Sequence, residues 1–224
     1  MTYCLTQLTV AELDKLVGKD FKKRFQSEID PVINPLRKYI TAGRPASMGK
    51  ELWEYAVADS ISNATWCGAG KGIADVRIST DIAIDVKSVQ TDKSSTTEAS
   101  MFQPLSSSEI ASVHFKNKDK QELWNLFVEG WLKKVSTVKE YYMLIIFRNP
   151  DTFDCSLAGF KVVNTSVAFL DESCSFTKKS MQIKSLVDPK LVNIKVYIGK
   201  TRMEIRVKSK VFNDPKHTMQ IYKF

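Results

Sequence analysis

The clearest pattern in the chain is a pair of segments, residues 72–78 and 82–88, in which apolar and polar positions alternate. This period of two predicts half-buried antiparallel strands, joined here by a tight turn at residues 79–81. Pairing Val76 with Ile84 gives every apolar residue of one strand an apolar partner on the other. A slip of one residue would turn one apolar set to the wrong side, so we predict this register.

The polar face of this predicted hairpin carries candidate chemistry. The same register brings Asp75 across from Asp85, with Lys87 two residues further along the second strand. Opposed side chains have Cβ atoms about 4.5–5.5 Å apart, and two carboxylates that close repel unless a cation or a proton lies between them. Such oxygen ligands suit Mg²⁺ or Mn²⁺, and a lysine beside the ion can orient or deprotonate water. The alternative is a surface ladder in which Lys87 only neutralises two aspartates.

Helical periodicity predicts a first helix over residues 8–27. The dipeptides Asp30-Pro31 and Asn34-Pro35 follow it and should break the chain, because proline lacks the backbone N–H that a helix interior needs. Residues 36–45 are then predicted to be a connector.

A second helix is predicted from Gly49 to Asn63, with Ser47 as its cap. Glu51 and Glu54 are three residues apart and therefore share one flank of this helix. The residues predicted to face the core are Leu52, Tyr55, Ala56, Ala58 and Ile61.

The second half of the chain adds one more helix and several strands. Residues 120–138 repeat apolar positions at helical spacing, and the unbroken apolar run 141–147 is typical of a central strand covered on both faces. Residues 155–163 predict another strand, and 164–190 a mixed connector. A second hairpin is predicted from residues 192–198 and 203–211, with its turn at Gly199-Lys200.

Composition narrows the class of protein. The chain has 224 residues, 43% of them hydrophobic, which suits one large domain or a domain with an appended lobe. Its net charge of +8 favours a polyanionic partner, nucleic acid first and an anionic membrane surface second. The sequence has no apolar run long enough to span a membrane, and its N-terminus lacks signal-peptide features. The four scattered cysteines indicate reduced thiols, so we expect a cytoplasmic protein.

Three glycines, Gly68, Gly70 and Gly72, follow Trp66 and invite comparison with a phosphate-binding loop. Their spacing does not match that motif, and they precede a strand where the motif's glycines follow one, so we expect no nucleotide cofactor. A tight turn that lets backbone approach a bulky ligand fits better, with Lys71 as a phosphate contact.

The order of these features resembles the PD-(D/E)XK nuclease superfamily and, within it, the type II restriction endonucleases. The resemblance covers residues 49–88: a helix with Glu54, a glycine-rich turn, a strand with Asp75, and then Asp85-Val86-Lys87. Ala74 stands where the family name expects proline.

This resemblance implies an α/β (α+β) fold with a mixed central β-sheet flanked by helices, a restriction-endonuclease-like core to which the C-terminal hairpin is added. We expect a single nuclease domain over 1–224, with a catalytic core at about 47–165, a DNA-contacting segment at about 89–118 and a C-terminal β lobe at about 190–224. The resemblance also implies Mg²⁺-dependent hydrolysis of double-stranded DNA by a homodimer, with Mn²⁺ able to substitute.

The resemblance assigns a role to each matching residue. Asp75 and Asp85 would bind Mg²⁺, joined by the backbone carbonyl of Val86. Lys87 would position or activate the attacking water. Glu54 would hold a second metal ion or its water, with Glu51 as the reserve candidate.

DNA contacts are predicted mainly in the segment after the second strand. Half of the positions from Thr91 to Ser108 are serine or threonine, which is typical of a flexible surface loop or of a segment that embraces DNA. In the second strand of the C-terminal hairpin, the alternate polar positions carry four cations and one acid: Arg202, Glu204, Arg206, Lys208 and Lys210. Such a row is typical of a strand that tracks phosphates or of a charged edge strand that resists aggregation. The candidate DNA contacts are Lys71, Gln90, Ser94, Ser95, Thr96, Thr97, Gln103, Lys116, Arg206 and Lys208.

The function expected from the sequence is that of a site-specific restriction endonuclease. Two alternatives stay open: a structure-specific or repair nuclease of the same superfamily, such as a junction resolvase, and a non-catalytic DNA-binding module in which Asp75 and Asp85 are incidental.

Overall fold

The protein is described by a computed structural model. The described residues are 5–42, 49–68, 74–90, 98–102, 119–149, 152–162, 175–176, 180–182, 194–198, 203–208 and 222–223. They divide into two compact units. The first unit comprises Gln7–Lys93, Glu140–Phe160 and Met219–Phe224, and the second comprises Met1–Thr6, Ser94–Lys139 and Lys161–Thr218. The domain bounds expected from the sequence stay a prediction.

The described helices are α1 (Val10–Val17), α2 (Phe21–Thr41), α3 (Lys50–Ser60) and α4 (Lys120–Val135). The strands are β1 (Leu5–Gln7), β2 (Thr65–Trp66), β3 (Val76–Arg77), β4 (Ile82–Gln90), β5 (Glu98–Phe102), β6 (Glu140–Arg148), β7 (Cys155–Val162), β8 (Ser175–Phe176), β9 (Ser180–Gln182), β10 (Ile194–Ile198), β11 (Met203–Lys208) and β12 (Tyr222–Lys223).

One mixed sheet has the strand order β1-β7-β6-β4-β3-β2, and β12 pairs with β7. β3 and β4 are antiparallel, whereas β4 and β6 are parallel from Ile82 opposite Glu140 to Gln90 opposite Arg148. Every residue of β6 from Tyr141 to Phe147 is buried, as its continuous apolar sequence predicted. The mixed sheet with its helices confirms the predicted α+β class.

The register of the central hairpin is the predicted one, because Val76 pairs with Ile84. The first strand is shorter than expected, however, and β3 contains only Val76 and Arg77. Before it, the backbone carbonyl of Asp75 accepts a hydrogen bond of 2.9 Å from the amide of Cys67. The side chain of Asp75 also accepts a hydrogen bond from the backbone amide of Val86, so that amide is not available for hydrogen bonding between the strands.

The core of the first unit lies between the sheet and the first three helices. Ile84 and Val86 of β4 are buried in one cluster with Phe25 of α2 and Trp53 of α3. The predicted chain break at the two prolines is wrong, because α2 continues through Pro31 and Pro35. Both prolines are exposed, and the buried stripe of α2 continues beneath them. That stripe consists of Phe21, Phe25, Ile29 and Ile33.

The predicted core face of α3 is also partly wrong. Leu52 and Tyr55 have exposed fractions of 46% and 49%, whereas Trp53 and Val57 are fully buried. The bulkier tryptophan determines which stripe of the helix faces the core, because it buries the larger apolar area. Gly49 occupies the N-cap position, and the predicted cap Ser47 lies outside the described residues.

The second unit contains an antiparallel sheet with the strand order β5-β11-β10-β9-β8. β10 and β11 pair with Ile198 opposite Met203, and the predicted turn between them lies outside the described residues. Because β11 has neighbours on both sides, the interpretation of its cations as an edge-strand device is wrong. β5 runs through the Ser/Thr-rich segment, where the sequence predicted no strand. In the described part of the chain, no helix is long and apolar enough to cross a membrane.

Gly159 of β7 lies where the start of the chain approaches the sheet, since its carbonyl accepts a 2.9 Å hydrogen bond from the amide of Leu8. A Cβ at this position would lie 3.0 Å from a methyl carbon of Leu8 and 3.0 Å from one of Leu13. Gly159→Ala should therefore lower the free energy of unfolding by about 1–3 kcal/mol, measured by urea denaturation.

A double-mutant cycle gives the control. In a Leu8→Ala background the added methyl group meets one close neighbour fewer, so Gly159→Ala should cost less there than in the wild type. Strictly additive losses in the double variant would show that the predicted crowding is absent.

Candidate active site

Asp75, Asp85 and Lys87 converge at the hairpin. The Lys87 ammonium lies 3.4 Å from Oδ2 of Asp75 and 3.8 Å from Oδ2 of Asp85. It also lies 3.4 Å from the backbone carbonyl oxygen of Val86. The two aspartates that the sequence placed on one face of the hairpin thus both lie within 3.8 Å of the same ammonium group, that of Lys87.

Asp75 is held in place by the neighbouring strand. Its Oδ2 accepts a hydrogen bond of 2.7 Å from the backbone amide of Val86 and contacts Lys87, while its Oδ1 points toward Lys50 at 4.0 Å. A charge-assisted hydrogen bond of this kind is short and directional. The carboxylate therefore bridges β4 on one side and α3 on the other.

Helix α3 supplies the third carboxylate and a second lysine. Oε1 of Glu54 lies 2.6 Å from the Lys50 ammonium, one helical turn earlier, and its Oε2 lies 3.5 Å from the indole nitrogen of Trp66. Glu51, the reserve candidate, is exposed. We call Lys50, Glu54, Asp75, Asp85 and Lys87 the charged cluster.

Burial differs sharply across the charged cluster. The exposed side-chain fractions are 1% for Glu54, 3% for Asp85, 14% for Asp75, 17% for Lys87 and 53% for Lys50. The prediction of a solvent-exposed face is therefore wrong for Asp85. Both faces of β4 are covered here, because the consecutive residues Ala83, Ile84, Asp85 and Val86 are all buried. Water reaches the cluster best at its Lys50 end.

The electrostatics of the cluster keep Lys87 protonated. Burial alone would lower the pKa of Lys87, but the negative charges of Asp85 and Asp75 outweigh burial and raise it above the usual 10.5. Tyr141 of β6 forms a hydrogen bond with Asp85, and burial together with that carboxylate raises the pKa of its hydroxyl. Both groups therefore act as proton donors toward the aspartates at neutral pH.

The oxygen atoms of the cluster are chemically suited to bind a hard divalent cation. Carboxylate oxygens and a backbone carbonyl are the ligands that Mg²⁺ prefers, and one or two carboxylates suffice because water and phosphate fill the other positions. Among the described residues, no group of three or more His, Cys, Asp or Glu side chains is arranged to hold a metal ion. Any such site would therefore rest on two carboxylates together with non-carboxylate oxygens.

Three residues near the carboxylates were missed by the sequence analysis. Lys50 is four residues before Glu54, a spacing that brings side chains together on a helix and could have revealed it. Tyr141 and Trp66 approach through strand pairing and tertiary packing, which no local pattern indicates.

The candidate DNA contacts fall largely outside the described part of the chain. This applies to Lys71, Ser94, Ser95, Thr96, Thr97, Gln103 and Lys116. Gln90 is the last residue of β4, and Arg206 and Lys208 lie on β11. Arg206 pairs with Lys195 of β10 and with Ser100 of β5, and Lys208 pairs with Glu98. Their contact with DNA stays a prediction.

Comparison with protein-family models, with curated proteins and with solved structures found no match for the chain. The resemblance to the PD-(D/E)XK nucleases therefore rests on the order and spacing of residues 49–88. What it implies about activity, metal ion and partners is accordingly a proposal.

The hydrogen bond between Tyr141 and Asp85 should be a substantial contribution to stability. Tyr141→Phe removes the donor and leaves a buried carboxylate with one partner fewer, so the free energy of unfolding should fall by about 1.5–3 kcal/mol. Tyr142→Phe is the matched control, because its hydroxyl donates a 2.8 Å hydrogen bond to Glu140 outside the cluster. An equal loss in both variants, measured by urea denaturation, would contradict a special role for Asp85.

Lys87→Met should lower the free energy of unfolding by roughly 3 kcal/mol near neutral pH, because two largely buried aspartates lose their cation. The pKa of Lys87 in the folded chain exceeds the usual 10.5, so this contribution is complete below pH 10.5 and is lost as the pH rises through the folded-state pKa. Denaturant unfolding of both proteins across this range measures the difference. A difference that already disappears near pH 8 would refute the assignment.

Proposed function

We propose that the protein is a site-specific endonuclease that cleaves double-stranded DNA by Mg²⁺-dependent phosphodiester hydrolysis. The observation that carries this proposal is the approach of Lys87 to both Asp75 and Asp85, together with Glu54 on a helix beside them. The net charge of +8 supports a nucleic-acid substrate. A homodimer would cut both strands, as the resemblance to restriction endonucleases implies.

In this proposal Asp75 and Asp85, with the Val86 carbonyl, would hold Mg²⁺, and Glu54 would hold a second metal ion or its water. The bound metal would supply Lewis acidity toward water and the scissile phosphate. Hydrolysis adds the water oxygen to phosphorus, breaks the bond to the leaving sugar oxygen and returns a proton to that oxygen. Lys87 serves this reaction as a protonated hydrogen-bond donor, because the neighbouring aspartates raise its pKa. It would orient water and stabilise negative charge, whereas a general base would have to be neutral.

A second candidate function is a non-catalytic DNA-binding module. It is favoured by the burial of Asp85, whose carboxylate is close to Lys87 and hydrogen-bonded to Tyr141. Such an arrangement can stabilise the fold without any metal ion. A structure-specific nuclease of the same superfamily would use the same residues on a different DNA shape.

Incubation with phage DNA separates these functions. Mg²⁺ should produce discrete fragments and EDTA should prevent them, whereas a smear would indicate cleavage without sequence specificity. Preference for branched over linear duplexes would indicate a structure-specific enzyme. Intact DNA that is nevertheless bound in a gel-shift assay would indicate the binding module.

Lys87→Ala should reduce the cleavage rate roughly 100-fold or more while DNA binding is kept, because a charge-stabilising donor is lost. Asp85→Asn is a second variant that removes a metal ligand and keeps the size of the side chain. Lys23→Ala, on the exposed face of α2, removes the same charge outside the cluster and should leave cleavage unchanged. Normal cleavage by Lys87→Ala would overturn the site assignment.

A further inference from the structure

The Lys50 ammonium lies between two carboxylates that come from different elements. It is 2.6 Å from Oε1 of Glu54 on its own helix and 4.0 Å from Oδ1 of Asp75, just before β3. The other oxygen of Asp75 is engaged by the Val86 amide and by Lys87. Oδ1 of Asp75 and Oε1 of Glu54 therefore face one shared cation position, and a cation of the chain itself fills it.

The contact with Glu54 is ionic and poorly directed. Oε1 of Glu54 is buried and accepts no well-aligned hydrogen bond within the described residues, although the ammonium is only 2.6 Å away. A buried carboxylate oxygen in this condition gains from any cation that can coordinate it more fully. The ammonium thus compensates the charge of Glu54 without satisfying its directional bonding.

Lys50 and Lys87 differ in how easily they can leave. The Lys87 side chain is 17% exposed and contacts Asp75, Asp85 and a backbone carbonyl, whereas Lys50 is 53% exposed. Lys50 is also the first residue of α3, where the helix dipole disfavours a positive charge. Lys50 can therefore move into water more readily than Lys87 when another cation takes its place beside Glu54.

We propose that Lys50 is a built-in competitor for the divalent cation: its ammonium occupies the position between Glu54 and Asp75 and leaves when the metal ion binds there. This inference rests on the proposed function for the presence of a metal ion and adds a residue that sets the affinity for it. Lys50 is a positioning residue, since it holds two carboxylates together while the position contains no metal ion.

The proposal predicts opposite effects of one substitution on stability and on metal affinity. Lys50→Met should lower the melting temperature measured in EDTA, because the buried Glu54 loses its cation. The same variant should bind Mn²⁺ roughly tenfold more tightly than the wild type, a gain of about 1.4 kcal/mol, because no ammonium must be displaced. A residue that only stabilises the fold would change stability without raising metal affinity.

Mn²⁺ binding is measured by electron paramagnetic resonance of the free ion on the full chain without DNA. Lys50→Gln is a second variant in case Lys50→Met fails to fold, and Lys23→Met is the control for general loss of positive charge. Adding Glu54→Gln to Lys50→Met should abolish the gain in affinity, because the shared position then loses one of its two carboxylates.

The outcomes separate this inference from the proposed function. Equal or weaker Mn²⁺ binding by both Lys50 variants, or no Mn²⁺ binding by any of these proteins, overturns the inference. Cleavage of DNA by the wild type together with unchanged affinity in the variants rejects the competitor and keeps the nuclease. A tenfold gain in affinity in a protein that cuts no DNA keeps the competitor and rejects the nuclease.

Discussion

The need to compensate buried negative charge governs the first unit. Glu54 and Asp85 are almost completely buried, and a carboxylate in that position destabilises the fold unless cations or hydrogen-bond donors surround it. Lys50 and Lys87 provide the cations, and Tyr141 and Trp66 provide donors. Helix α3 and strands β4, β6 and β2 are thereby fixed relative to one another by the same set of contacts.

The sheet explains why these groups meet. β4 pairs antiparallel with β3 and parallel with β6, so its polar side chains face residues from both neighbours. Asp75 reaches across to the Val86 amide, and β6 contributes Tyr141. The opposite face of β4 carries Ile84 and Val86 into the core beneath the helices. Alternation along one strand therefore separates the charged cluster from the apolar core.

The sequence predicted what depends on local periodicity and missed what depends on tertiary packing. The pairing of Val76 with Ile84 follows from matching apolar positions, since any slip would expose them. The continuation of α2 through Pro31 depends on a buried stripe that outweighs the cost of proline. The burial of Asp85 depends on tertiary packing that includes Tyr141, so the hairpin alone gave no indication of it.

The charge balance of the cluster bears on whether its role is structural or catalytic. Its three carboxylates and two ammonium groups leave a formal charge of −1 when all are ionised. A cluster that served only to stabilise the fold would gain from exact neutrality, because each uncompensated buried charge is costly. Its most exposed member is the cation Lys50, which stands between two of the carboxylates and the solvent. The net negative charge of the cluster, together with the exposed position of Lys50, favours the proposed role of the cluster as a site where Lys50 is exchanged for a divalent cation.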